Sequence, residues 1–189
     1  MKTKTKLLQE IRIGEIGNCT RCGLCERRTE IVFGRGDANA RLMFIGEGPG
    51  EEEDLQGLPF VGRAGQLLDD VIRAMQMTPE SVYIANVVKC RPPENRNPTA
   101  EEQAKCLPFL DRQIDVIRPD VLVALGNVAT RALFGEDMRG ITTIRGTWKE
   151  YRGIPVLLTL HPAFVLRQPT AKKWLWDDAQ AVMKRLEIR

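Results

Sequence analysis

Four short runs of consecutive apolar residues, each about as long as a strand, alternate along this chain with longer helical patterns. The apolar runs cover residues 42–45, 82–88, 121–125 and 156–160. Uninterrupted apolar strands are typical of a parallel sheet that is covered on both faces. The helical patterns cover residues 65–77, 99–117, 127–134 and 172–186. This alternation predicts a three-layer α/β/α sandwich around a central, mostly parallel, four-stranded sheet.

The second of these helices carries its own start and stop signals. Thr99 followed by Glu102 is the pattern of a capping box, and Pro119 cannot continue a helix beyond about residue 117. Neither an internal repeat nor a linker interrupts the chain, and 189 residues are enough for one well-buried core. We therefore expect a single domain over residues 1–189, with its amino-terminal cysteine segment attached to it.

The composition excludes two classes of protein. No run of apolar residues approaches the length of about 18 residues that a membrane span needs. Gln9, Glu10 and Arg12 interrupt the stretch that would have to be apolar in a signal peptide. We therefore expect a cytoplasmic protein with no membrane partner. The formal net charge of +3 permits a nucleic-acid partner but does not by itself argue for one.

Cysteines occur in two groups that only the fold can bring together. Cys19 and Cys22 lie in one tight turn, and Cys90 and Cys106 lie far downstream. Thiols stay reduced in the cytosol, so these residues are expected to be metal ligands or free thiols rather than disulfides. Four thiolates suit structural zinc as well as an iron–sulfur cluster. Cys25 follows Cys22 at the same CxxC spacing. It is interpreted as a free thiol that does not bind the metal, or as a substitute ligand.

Polar and glycine residues follow the predicted strands at the edge where open parallel sheets bind their ligands. Glu47 lies in a glycine-rich turn after the first strand, Asn86 lies near the end of the second, and Gly126 follows the third. His161, which is the only histidine of the chain, follows the fourth. Each could be structural when taken alone: a tight turn, a helix cap or a buried histidine. Their convergence at one sheet edge favours a binding site.

Three motifs in this order resemble those of the family 4 uracil-DNA glycosylases. The first motif is GEGPGEEED, continued by GLPFVGRAG, and it begins at Gly46. The others are NVVKCRPPENRNP from Asn86 and HPAFVLR from His161. The resemblance extends from Cys19 to the last predicted helix. It implies the α/β sandwich of the uracil-glycosylase superfamily and hydrolysis of the N-glycosidic bond of deoxyuridine in DNA, which leaves an abasic site for base-excision repair.

The resemblance also assigns roles to residues of this chain. Phe60 is expected to stack on the uracil ring, Asn86 to pair with its O4 and N3 edge, and His161 to stabilise negative charge at O2. Glu47 and the backbone of Gly48 are expected to line the same pocket. Water activation is left open between Glu47 and Glu53, because Gly48 stands where several superfamily members have an aspartate. Glu53 could equally belong to an acidic, solvated helix start.

Contacts with DNA are expected from the residues after His161. Val165 and Leu166 are candidates for an apolar wedge that fills the gap left by a flipped base, and Arg167 for a phosphate contact. Core packing is the alternative for Val165, and an ordinary surface charge is the alternative for Arg167.

The resemblance implies further that Cys19, Cys22, Cys90 and Cys106 hold a [4Fe–4S] cluster with a structural role. We expect a monomer that acts on single- or double-stranded uracil-containing DNA in the cytoplasm, associated with the nucleoid and followed by downstream base-excision repair enzymes. Two alternatives remain: an enzyme of wider specificity that also removes bases such as hypoxanthine, and an iron–sulfur DNA-binding module with little turnover.

Overall fold

The computed structural model describes residues 2–188. The strands are β1 (Arg35–Gly36), β2 (Leu42–Gly46), β3 (Tyr83–Asn86), β4 (Val121–Leu125), β5 (Trp148–Tyr151) and β6 (Ile154–Thr159). The α-helices are α1 (Lys4–Glu10), α2 (Glu51–Gln56), α3 (Arg63–Ala74), α4 (Ala100–Ile117), α5 (Gly126–Phe134), α6 (Ile141–Ile144), α7 (Pro162–Arg167) and α8 (Lys172–Leu186). Short 3₁₀ turns cover Gly23–Glu26, Pro93–Asn95 and Pro169–Ala171, and one π-helical segment covers Ile11–Ile16.

The strands form one mixed sheet in the order β1-β3-β2-β4-β6-β5. The four strands predicted from the apolar runs lie at its centre and are all parallel, which confirms that part of the prediction. The expected number of four strands is wrong, since β1 and β5 add an antiparallel strand at each edge. No residue of either edge strand is buried, and neither strand contains a run of consecutive apolar residues, so neither gives a strand signal in the sequence.

Each face of the sheet is covered by its own helical layer, as the sandwich prediction requires. Side chains alternate along β2: Leu42 and Phe44 pack against α3 and α8, whereas Met43 and Ile45 pack against α1, α4 and α5. The central strands β2 and β4 are buried throughout.

The predicted helices are present with small shifts of their ends. Thr99 caps α4 together with Glu102, as the capping box predicts, and this helix ends at Ile117. The third and fourth helical patterns correspond to α5 and α8, and the first corresponds to α3. The sequence patterns do not predict α1, α6 or α7, which are all seven residues long or shorter, whereas the acidic helix start considered at Glu53 corresponds to α2. Among residues 2–188, no helix is long and apolar enough to cross a membrane.

Candidate functional site

One cavity of about 560 Å³ lies where the carboxyl ends of the four parallel strands meet. Its lining includes eight of the residues singled out in the sequence: Glu47, Gly48, Glu53, Phe60, Asn86, Gly126, His161 and Arg167. The strands place four of them directly, because Glu47 follows β2, Asn86 ends β3, Gly126 follows β4 and His161 lies shortly after β6. The convergence expected at this edge of the sheet is therefore present in the structure.

Two glycines allow the polar and aromatic side chains of the cavity to approach the strands. A Cβ atom on Gly46 would lie 2.4 Å from Asn86 Oδ1 and 2.6 Å from Phe60 Cζ. Gly126 has a left-handed φ of +84°, and a Cβ atom there would lie 2.9 Å from the Cβ of His161. A larger residue at either position would displace a side chain of the cavity, so these glycines determine its shape.

The aromatic ring of Phe60 lies beside the imidazole of His161. Their ring centroids are 5.6 Å apart, and the ring planes are tilted by 30°. Phe60 is 6% exposed, and its backbone has a left-handed φ of +55°. This conformation is unusual for an aromatic residue. It presents the ring to the cavity, where a flat ligand could stack on it.

Asn86 presents a buried acceptor at the wall of the cavity. The residue is 2% exposed, and its Oδ1 atom accepts no hydrogen bond from any described residue, 2–188. Buried amide oxygens are nearly always satisfied, so an unpaired one at a cavity wall indicates a ligand that donates a hydrogen. The Phe60 ring lies close to this atom, since a Cβ atom on Gly46 would touch both.

The hydrogen bonds of His161 determine which ring nitrogen carries the proton. Its Nδ1 atom accepts a hydrogen bond from the backbone N–H of Ala163 at 3.1 Å, as the N-cap of α7. Burial, with a contribution from the positive charge of Arg167, lowers the pKa of His161 to about 4. The imidazole is therefore neutral at physiological pH, and the proton lies on Nε2. Such a ring can donate one hydrogen bond from Nε2.

The two carboxylates considered for water activation have different environments. Burial raises the pKa of Glu47, and its side chain forms no ion pair with the rest of the described chain. Glu53 instead uses both oxygens to accept backbone hydrogen bonds, from Gly50 at 3.2 Å and from Val61 and Gly62 at 2.9 Å each. It is therefore not the freely solvated carboxylate of an acidic helix start, although it lies in the cavity lining.

Helix α7 corrects one expectation about the DNA wedge. Val165 is 0% exposed and packs in the core, so it cannot insert into DNA, and the alternative of core packing is right for this residue. Leu166 is half-buried and does not line the cavity, whereas the exposed Arg167 does. Within α7, the aromatic residue that lines the cavity is Phe164. Positions 161, 164 and 167 follow one another at three-residue steps along the cavity side of α7, whereas Val165, about 100° around the helix from Phe164, faces the core.

A loop after β3 forms a further part of the cavity that the residue-by-residue reasoning missed. It contributes Pro92, Asn95, Arg96 and Asn97. Arg96 donates to both carboxylate oxygens of Glu102 at 2.8 and 2.9 Å, which fixes the loop to the start of α4. This bidentate contact lowers the pKa of Glu102 to about 2. This loop belongs to the second of the three motifs, but the sequence does not indicate that its polar side chains face the cavity.

The five cysteines surround a second, smaller cavity below the same loop. Cys19, Cys22, Cys25, Cys90 and Cys106 all line it and are free thiols. Two of the sulfurs accept hydrogen bonds: Cys90 from Arg28 at 3.4 Å, and Cys106 from the backbone N–H of Lys89 at 3.3 Å. Nevertheless, no three histidine, cysteine or acidic side chains among the described residues are placed to hold a single metal ion.

Lys89 connects the cysteine cavity with the first cavity. It is 1% exposed, and its Nζ atom donates to the backbone carbonyl of Asn86 at 2.8 Å and to Gln113 Oε1 at 2.6 Å. Burial lowers the pKa of Lys89 to about 8. No ion pair of Lys89 with an acidic residue occurs within residues 2–188. A buried ammonium group without a carboxylate partner is costly unless another anion lies nearby.

Comparison with known proteins agrees with this geometry. Residues 33–184 match the protein family described as the uracil DNA glycosylase superfamily. A type-4 uracil-DNA glycosylase of Thermotoga maritima is 48% identical over 168 residues, which cover 88% of this chain and 87% of the relative. Type-4 uracil-DNA glycosylases of Sulfurisphaera tokodaii and Archaeoglobus fulgidus are 44% and 42% identical, over 89% and 90% of this chain and 80% and 89% of their own lengths. The chain therefore belongs to the uracil-DNA glycosylase superfamily and, within it, to the type-4 family.

Proposed function

We propose that this protein is a DNA glycosylase that hydrolyses the N-glycosidic bond of deoxyuridine, releasing uracil and leaving an abasic site for base-excision repair. The observation that carries the proposal is the unpartnered Oδ1 atom of Asn86 beside Phe60 and a neutral His161 in one cavity. An acceptor, an aromatic face and a donor are the three groups that a flipped-out uracil requires.

Recognition starts with the base outside the duplex, which costs a few kcal/mol in unstacking and unpairing. Stacking on Phe60 returns about 1–3 kcal/mol of that free energy. The Oδ1 atom of Asn86 accepts from uracil N3–H, and its amide N–H donates to O4. Cytosine has an acceptor at N3 and a donor at N4, so it would leave the Asn86 amide unpaired. Unpaired buried polar groups give strong discrimination against the wrong base.

Cleavage moves the electron pair of the glycosidic bond onto the uracil ring. Negative charge then develops at the carbonyl oxygens, and positive charge develops on the sugar. The Nε2–H of His161 donates to O2, and this hydrogen bond strengthens as the charge grows. A neutral imidazole is suited to this role because it needs no change of protonation state. His161 is therefore the electrophilic catalyst of the proposed reaction.

We assign the attacking water to Glu47 rather than to Glu53. Both oxygens of Glu53 are engaged by backbone N–H groups, whereas Glu47 has a carboxylate in the cavity with a raised pKa. A partly buried carboxylate can accept the water proton and can also stabilise the positive charge on the sugar. The water oxygen bonds to the sugar carbon as the bond to uracil breaks.

DNA contacts are assigned to the cavity face of α7. Phe164 is the apolar side chain next to His161 on this face, so we place the wedge there in preference to Leu166. Arg167, which is exposed at the end of the same face, is placed to contact a phosphate. The protein would act as a monomeric single domain on single- or double-stranded DNA, with enzymes that process abasic sites acting next.

We further propose that Cys19, Cys22, Cys90 and Cys106 hold a [4Fe–4S] cluster. A single tetrahedral zinc ion would need sulfurs about 3.8 Å apart, as its 2.3 Å bonds require. The thiols instead surround a cavity without meeting at one point, and a cluster binds each thiolate on a separate iron atom. The buried cation of Lys89 would offset the negative charge of that centre. The cluster supplies a structural cross-link, since hydrolysis needs no electron transfer.

Excision from oligonucleotides that carry one uracil, hypoxanthine, thymine or cytosine tests this proposal. Release of uracil alone is expected from the hydrogen-bonding pattern of Asn86. Release of hypoxanthine at a similar rate would favour the enzyme of wider specificity. Binding of uracil-containing DNA without any base release would favour the DNA-binding module.

A further inference from the structure

The left-handed backbone of Phe60 must be held by its neighbours. With a φ of +55°, it occupies a region that an aromatic residue rarely adopts, and such a conformation persists only when surrounding contacts fix it. Relaxation to a negative φ would rotate the peptide planes on either side of Phe60 and turn its ring away from the cavity. The contacts of these two peptide planes therefore matter for the recognition of a flat ligand.

Arg35 contacts the carbonyl group of both peptides. It lies on β1, the two-residue edge strand beside β3. Its Nε atom donates to the carbonyl of Pro59 at 3.0 Å, and its Nη2 atom donates to the carbonyl of Phe60 at 3.3 Å. These carbonyls belong to the peptides that precede and follow the Phe60 Cα atom. One rigid guanidinium group thus fixes both orientations.

Two carboxylates complete this arrangement. Asp69 on α3 accepts from Arg35 Nη2 at 2.7 Å, and both side chains of this ion pair are only 21% exposed. Glu53 accepts from the N–H of Val61, on the other side of the peptide whose carbonyl Arg35 holds. The peptide between Phe60 and Val61 is therefore held from both sides by groups of opposite charge. Charge-assisted hydrogen bonds are the stronger ones, especially where they are partly buried.

We propose that Arg35, fixed by Asp69, is a positioning residue for uracil recognition, because it holds the left-handed backbone that keeps the Phe60 ring beside His161. Arg35 does not line the cavity formed by the described residues, so it acts through Phe60 and not through the substrate. The inference rests on the proposed function, in which the Phe60 ring stacks on uracil.

Ring orientation can be measured without any activity assay. His161 is the only histidine, so the untagged protein gives one set of imidazole signals in a ¹H–¹³C spectrum, and the Phe60 ring 5.6 Å away shifts them. Arg35→Ala is expected to move these signals towards their position in Phe60→Ala. In the Phe60→Ala background, Arg35→Ala should cause no further movement. Arg73→Ala on α3, which breaks the exposed Arg73–Asp70 pair, is the matched control and should leave the signals in place.

Kinetics on a uracil-containing single strand give the second readout. Arg35→Ala is expected to lower kcat/KM by about 10- to 100-fold, as misplacement of a binding group does. The double variant Arg35→Ala/Phe60→Ala should be within about twofold of Phe60→Ala, because residues that act as one unit are not additive. Arg35→Lys should restore part of the loss, since an ammonium group can still reach one carbonyl. If Arg35→Ala does not fold, Asp69→Asn serves in the same comparisons.

Unchanged imidazole signals in Arg35→Ala would overturn the inference, as would losses that multiply in the double variant. Signals that move as expected in a protein that releases no uracil would support the role of Arg35 and contradict the proposed function. The experiments can therefore contradict the role of Arg35 without contradicting the proposed function, and the reverse.

Discussion

The ammonium group of Lys89 donates to the backbone carbonyl of Asn86 at 2.8 Å, although the two side chains belong to different cavities. Lys89 is also the residue before Cys90, and its backbone N–H donates to Cys106. The cysteine cavity and Asn86, the residue proposed to recognise the base, are thus joined by one fully buried side chain. In the proposed function, this contact lets a cluster that takes no part in hydrolysis support the geometry of the pocket.

Replacement of Lys89 by methionine should therefore destabilise the protein. The substitution leaves the Asn86 carbonyl and Gln113 Oε1 without a donor, and each unpartnered buried acceptor costs about 1–3 kcal/mol. Chemical unfolding of Lys89→Met should show the loss in the free energy of unfolding. Lys2→Met, which breaks an exposed pair with Glu10, is the control and should change it by less than about 0.5 kcal/mol. Equal effects of the two substitutions would contradict the assigned role of Lys89.

His161 should remain neutral well below the pH at which histidine ordinarily titrates. Its pKa is lowered to about 4 in the folded protein, whereas the unfolded chain would bind this proton near pH 6.5. The unfolded state therefore binds more protons between pH 6.5 and 4, and stability should fall as the pH falls through this window. An NMR titration of the single histidine should show constant shifts from pH 8 down to about 5. A midpoint near 6.5 would mean that the imidazole is solvated.

The cysteines offer a matched pair of substitutions. Cys22→Ser should remove a cluster ligand, with loss of the brown colour and a lower melting temperature. Cys25→Ser, three residues away in the same turn, should keep both the colour and the melting temperature. Absorption spectra and thermal unfolding of the two variants measure this difference. A colourless Cys22→Ser protein with unchanged melting temperature and activity would rule out a structural role for the centre.

If Phe164 is the wedge, its replacement should affect excision from duplex DNA more than excision from a single strand. A single strand needs no side chain to fill a gap in a base stack, whereas a duplex does. Phe164→Ala should therefore lower the ratio of duplex to single-strand excision by about tenfold or more. Leu166→Ala should leave that ratio unchanged. If Leu166→Ala lowers the ratio and Phe164→Ala does not, the wedge is Leu166.

Sequence patterns predicted the parts of this fold that burial determines. The runs at residues 42–45 and 121–125 indicate strands because both faces of the central sheet are covered, so every position must be apolar. The edge strands β1 and β5 have one or both faces in solvent and show no such run. Helices of one or two turns, such as α7, have too few residues for a periodicity to appear.

In the candidate site, too, some residues could be predicted from the sequence and others could not. Glu47, Asn86 and His161 were found because they follow apolar strands at a defined edge. The error at Val165 arose because motif spacing alone does not reveal that the segment is helical, and a helix turns Val165 into the core and Phe164 towards the cavity. Arg35 could not be found from the sequence, since its contacts with Pro59, Phe60 and Asp69 depend on tertiary structure.

Alkali cleavage of a uracil-containing oligonucleotide by the wild type and by His161→Ala, with a cytosine oligonucleotide as control, shows whether the protein excises uracil and whether His161 contributes to the reaction. We expect cleavage of the uracil strand alone, reduced by about 10²- to 10³-fold in His161→Ala, because one donor to the developing oxyanion is lost. Absence of cleavage by a folded wild type that binds this DNA would contradict it, as would an undiminished rate in His161→Ala.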